Sequence, residues 1–132
     1  MIAVDTNVLV RIITRDDPDQ ARAAIEVFES GPIWVAKTVV LELEWVLRYS
    51  YGLDRSKIHE VLTRLLGLRS LTIEDRGSVV RARDRYEQGM DFADALHLAS
   101  STDADSFATF DRKLAKATGR LDDTVRVELL GI

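Results

Sequence analysis

Cysteine is absent from the 132 residues, and with it go disulfide frameworks, thiolate metal centres and cysteine nucleophiles. A metal bound here must therefore take oxygen or imidazole ligands, and only two histidines are present. Proline is almost as scarce, at two residues, and no low-complexity tract, internal repeat or linker interrupts the chain. No apolar run approaches the roughly 20 residues of a membrane-spanning helix, and no charged leader precedes an apolar stretch. A cytoplasmic protein that is not exported and has no membrane association is expected. Basic residues are in the minority, 18 Lys and Arg against 22 Asp and Glu, for a formal charge of −4. A generally basic nucleic-acid binder is thereby disfavoured, and any grip on phosphates has to be local.

What remains is 46% hydrophobic and 30% charged, enough for one compact domain spanning residues 1–132. Residues 2–4 read as a short buried strand. Thr6 to about Ile13 reads as a helix with Val8, Leu9, Ile12 and Ile13 on its apolar stripe. Asp16-Asp17-Pro18 breaks this helix and starts the next, which Ser30-Gly31-Pro32 stops. Ile33–Val35 and Leu71–Ile73 are strand candidates, with helices over Thr38–Tyr49 and around Ile58–Leu66 between them. A charged helix over residues 76–88 closes at Gly89 and, like 111–123, reads as a solvated face. A helix then runs from Asp91 to about Ser101, and Phe107–Phe110 and Thr124–Val127 supply the last strands. Short strands alternating with helices predict an α/β fold, a three-layer α/β/α sandwich on a mostly parallel sheet of about five short strands.

Four acids sit where a carboxylate is locally unexpected. Asp5 ends the apolar run of the first strand, and Asp111 ends the fourth; functional groups in parallel α/β sheets collect at such strand ends. If those strands are neighbours, the two carboxylates repel, and a divalent cation relieves them. All-oxygen ligation favours Mg²⁺ or Mn²⁺ over Zn²⁺. Asp5 and Asn7 are equally explained as helix-capping residues, while Thr6 and Asn7 could orient the Asp5 carboxylate.

Glu42 and Glu44 lie two apart on one helix and so face different directions. Glu44 has Arg48 at i+4 and is expected in solvent as a surface ion pair. Glu42 shares its face with Val39, Trp45, Val46 and Tyr49, has no basic residue one turn away, and is expected to need a partner. Asp91 is expected to cap its helix, which leaves Asp94, in the first turn, to project toward an ion. His97 is left outside the site. Arg11, Arg15, Lys37 and Arg112 are candidates for holding a polyanionic backbone, Arg11 foremost because it follows the Asp5 segment closely.

Taken together, Val4-Asp-Thr-Asn-Val-Leu-Val-Arg11, Glu42, Asp91-Phe-Ala-Asp-Ala-Leu96 and Thr109-Phe-Asp111 resemble the PIN-domain family, and within it the VapC-type toxins of toxin–antitoxin pairs. The resemblance covers nearly the whole chain. It implies that Asp5, Glu42, Asp94 and Asp111 form an acidic quartet, with Thr6, Asn7, Thr109 and Asp91 in support. It further implies a Mg²⁺- or Mn²⁺-dependent endoribonuclease, a homodimer, and inhibition by a VapB-like antitoxin. Two other classes stand beside it. A haloacid-dehalogenase-like phosphatase also begins with a strand ending in Asp, but it usually carries a second Asp where this chain has Asn7. A non-catalytic interaction domain with a structural metal site is the other.

Overall fold

The computed structural model describes residues 1–121 and 124–131. Strands and helices alternate as β1 (Ile2–Ala3), α1 (Thr6–Thr14), α2 (Pro18–Glu29), β2 (Ile33–Val35), α3 (Lys37–Tyr49), α4 (Arg55–Leu66), β3 (Leu71–Ile73), α5 (Arg76–Glu87), α6 (Phe92–Ala99), β4 (Ser106–Thr109), α7 (Arg112–Thr118) and β5 (Arg126–Leu129). The fold is α/β, and every pairing between its strands is parallel. Parallel neighbours cannot be joined by a tight turn, and helices fill the crossovers here. Among the described residues the strands pair as a ladder of three, in the order β1-β2-β3, and a ladder of two, β4-β5. By packing, the chain divides into two compact units, Met1–Gly77 and Ser78–Ile132.

In the first unit β2 is the central strand, with Ile33 aligned to both Ile2 and Leu71. Its side chains alternate as the pleat requires: Ile33 and Val35 are fully buried and Trp34 is half-buried. The helix starts follow the sequence closely. Asp17 accepts the Gln20 N–H with Pro18 in the first turn, and Asp54 accepts the Lys57 N–H. On α3 the buried stripe is Val40, Leu43 and Leu47, at helical spacing. Glu44 falls beside Leu43 on that stripe and is only 2% exposed, so the expectation that it lies in solvent is overturned. In α1 the buried pair is Leu9 and Val10, while Ile12 and Ile13 are half-buried. The stripe is rotated because α1 packs on both α2 and α3.

In the second unit the charged helix α5 is more than a solvated face, since Ser78, Val79, Ala82, Arg85 and Tyr86 are buried. The Ser78 hydroxyl and the Arg81 guanidinium both donate to the Ala99 carbonyl, at 2.9 and 3.2 Å, which satisfies an orphan acceptor at the end of α6. Tyr86 meets Phe92 edge-on, centroids 5.5 Å apart. Leu98, Leu114 and Val125 form a small core joined by Met90, Phe107 and Val127. Gly89 closes α5 with a φ of 104°, a conformation that side chains with a Cβ rarely adopt. β4 stops at Thr109, leaving Phe110 exposed, and β5 starts at Arg126, two residues later than predicted. Of the charged segment 111–123, residues 122 and 123 lie outside the described residues. Among those described, no helix is long and apolar enough to cross a membrane.

Candidate functional site

Asp5 stands where β1 gives way to α1, and its Oδ1 accepts the Val8 N–H at 3.2 Å. The capping expectation is therefore met. Capping occupies one of two carboxylate oxygens, and the residue is exposed, so it does not exhaust what Asp5 can do. Thr6, next in sequence, is buried at 4% exposure, and its hydroxyl donates to Oε1 of Glu42. Thr6 thus serves Glu42 and joins the end of β1 to the second turn of α3. The face that carries Glu42 is the exposed one, with Trp45 and Tyr49 beside it in solvent. Sequence reasoning found a partner necessary for Glu42, but on the ground that its face was buried, and that ground is corrected.

Asn7 and Asp5 line a cleft of about 370 Å³ with Val8, Arg11, Gln20 and three apolar residues of α2. Arg11 is committed within the unit: its Nε donates to Gln20 at 2.6 Å and its Nη1 reaches Asp16 and the Tyr51 hydroxyl, each at 3.0 Å. The bond to Tyr51 foremost, and that to Asp16, raise its pKa further. Asp16 is held below the usual carboxylate range by hydroxyl bonds from Thr14 and then Tyr51, and by the Arg11 charge. Arg15 closes α1 in the left-handed conformation and donates to the Ile12 carbonyl. Lys37 is paired with Asp75 at 3.0 Å, while its N–H is accepted by Glu74, a helix cap supplied from beyond β3 that no local pattern reveals. Arg112 is exposed at the start of α7.

In the second unit Asp91 caps α6 by accepting the Asp94 N–H at 3.1 Å, which leaves Asp94 half-buried in the first turn as the sequence suggested. Burial pushes the Asp94 carboxyl above the usual range; Asp91 and Asp111 add to the effect and His97 opposes it. Asp111 caps α7 through the Leu114 N–H at 3.1 Å, and its own N–H is held by the Thr109 hydroxyl at 3.0 Å. Thr109 is thereby a direct support of Asp111. Arg81 and Ser78, which fasten the far end of the helix carrying Asp94, were not singled out from sequence; no short motif marks a residue that acts through a carbonyl 18 or 21 positions away.

The donor set is all oxygen and suits a hard divalent cation. Among the described residues, however, no three acidic or imidazole groups come together closely enough to hold one. The structure assembles the candidates within each unit: Asp5, Thr6 and Glu42 in the first, and Asp91, Asp94, Thr109 and Asp111 in the second.

The PIN domain matches residues 2–120, a span that runs through both units and takes in all four acids of the expected quartet. No curated protein matches the chain. PIN domains are in general nucleases and usually bind divalent metal ions. With most of its length inside that match, this chain belongs to the PIN-domain family.

Proposed function

We propose that the chain is a divalent-metal-dependent endoribonuclease, the toxin of a VapBC-type toxin–antitoxin pair, in which Asp5, Glu42, Asp94 and Asp111 serve one Mg²⁺ or Mn²⁺ site. The observation that carries this reading is the PIN match over residues 2–120. The same membership, with Asn7 where a phosphatase of the haloacid-dehalogenase type would carry a second acid, stands against that alternative.

When bound, a divalent cation supplies Lewis acidity at the scissile phosphate and offsets charge developing on its oxygens. The chain's own contribution is to hold donors in place. The buried Thr6 hydroxyl fixes Glu42, whose carboxylate completes the site or orients the attacking water. Backbone N–H groups fix the rotamers of Asp5 and Asp111. Asp94, pushed toward its neutral form by burial and by two neighbouring acids, has the most to gain from a cation. Arg15 and Arg112 would meet the RNA backbone, with Arg11 and Lys37 adding positive potential from their ion pairs. The reading carries with it a cytoplasmic homodimer restrained by a VapB-like antitoxin.

Incubation of the purified chain with unstructured RNA tests the activity. Cleavage is expected with Mg²⁺ or Mn²⁺, to stop with a chelator, and to be lost in Asp5→Asn; metal-independent cleavage, or full activity of that variant, overturns the assignment. Growth arrest on expression, relieved by a small protein encoded beside this one, tests the toxin role.

A further inference from the structure

Three observations meet on α3. Trp45 and Tyr49 are 53% and 63% exposed, on a helix whose aliphatic residues are all buried or half-buried. Their rings touch, with centroids 5.4 Å apart and planes tilted by 52°. Behind them lies a rigid mount: Glu44, 2% exposed, accepts from Nε and Nη2 of Arg48 at 2.8 and 3.2 Å, and the guanidinium lies over the Tyr49 ring at 4.5 Å. A two-pronged Arg–carboxylate bond is geometrically fixed, so the buried acid sets the guanidinium, the guanidinium sets Tyr49, and Tyr49 backs Trp45. Glu42, Trp45 and Tyr49 follow one another at steps of three and four residues, a single stripe about 10 Å long on an ideal helix. Thr6 fastens its first member.

We propose that this stripe is a stacking platform for single-stranded RNA: a nucleobase stacks on Trp45, beside the Tyr49–Arg48 pair, and leads the strand to Glu42. The inference deepens the nuclease reading, on which it rests for the role of Glu42, by assigning a base-binding surface to α3. Stacking on ordered aromatic rings is the sequence-tolerant way to hold single strands, whereas paired bases hide their faces. A pre-ordered ring pair also loses little conformational freedom on binding. A second copy of the chain fits the surface less well. Even fully buried, two such rings contribute about 150–250 Å² each, against roughly 800 Å² per partner in a stable interface, and charged Glu42 and Arg48 flank them.

The test uses Trp34→Phe, which leaves Trp45 as the sole tryptophan reporter in the chain. In a chelator, where cleavage is blocked, a single-stranded oligoribonucleotide should quench Trp45 fluorescence, and the same sequence in a duplex should not. Trp45→Ala in the otherwise unaltered chain should weaken single-strand binding about tenfold, with Trp45→Phe recovering most of it. Adding Asp5→Asn should leave the quenching in place, because the readout does not require catalysis. Binding and quenching without cleavage under any metal sustain the platform and sink the nuclease reading. Metal-dependent cleavage with no quenching, and with Trp45→Ala binding as tightly as the parent, sinks the platform alone. If Trp45→Ala instead turns a dimer into a monomer and leaves RNA binding unchanged, the stripe is a contact between copies and the proposal fails.

Discussion

In the Met1–Gly77 unit each candidate acid is met by a donor, Asp5 by the Val8 N–H and Glu42 by the Thr6 hydroxyl. In the Ser78–Ile132 unit Asp91 and Asp111 also accept backbone N–H groups, but they crowd Asp94, whose half-buried carboxyl is raised by burial, by Asp91 and by Asp111. The difference separates two ways of preparing a carboxylate. A donor fixes direction, whereas crowding leaves a charge that only a cation or a proton relieves. Both units accordingly supply orientation, and the second adds, at Asp94, a demand for positive charge.

The comparison breaks most visibly at Asp94. Asp94→Asn should abolish metal-dependent cleavage, by about 100-fold or more, while raising thermal stability at neutral pH. A raised acid contributes stability that is fully present below its unfolded-state pKa and lost as pH rises through its folded-state value. The advantage of Asp94→Asn should therefore shrink in acid, and saturating Mg²⁺ should raise the melting temperature of the parent more than that of the variant. A variant no more stable than its parent at neutral pH contradicts the crowding account.

Two glutamates on one helix give the next largest effects, in opposite directions. Glu42→Gln should fold normally and lose most cleavage. Glu44→Gln removes one partner of a pair whose acid is buried and whose Arg48 is 37% exposed, and should lower stability by about 1–3 kcal/mol after allowance for that exposure, with the folded fraction still cleaving. Denaturant melts alongside single-turnover assays separate the two; equal loss of activity in both refutes the division of roles. Thr6→Val keeps shape and removes the donor to Glu42, and about tenfold less activity is expected with a modest fall in stability. The smallest effect belongs to Tyr51→Phe, which removes a hydroxyl shared by Arg11 and Asp16. Asp16, held below the usual range, contributes stability present above its ordinary pKa and lost as pH falls through the lowered value. The variant should therefore melt slightly earlier at neutral pH and converge with the parent in strong acid.

The element order, the strands at Ile33–Val35 and Leu71–Ile73, and the breaks at Asp17-Pro18 and Gly89 were legible because punctuation and strand alternation are local signals. The capping roles of Asp5 and Asp91 were legible for the same reason. The faces of α3 were not. Counting Trp45 and Tyr49 as core placed Glu42 inside and Glu44 outside, whereas the buried stripe is set by Val40, Leu43 and Leu47; aromatic rings carry apolar area without specifying that it is covered. The division of the strands into ladders of three and two, and the cap that Glu74 gives to α3, depend on pairing between distant segments, which no single stretch of sequence encodes.

The split of the acids between the two units also has a consequence in time. A chain made from its N-terminus presents Asp5 and Glu42 before Asp94 and Asp111 have been added. On the proposed quartet, a growing chain is incapable of cutting RNA until Asp111 has been added.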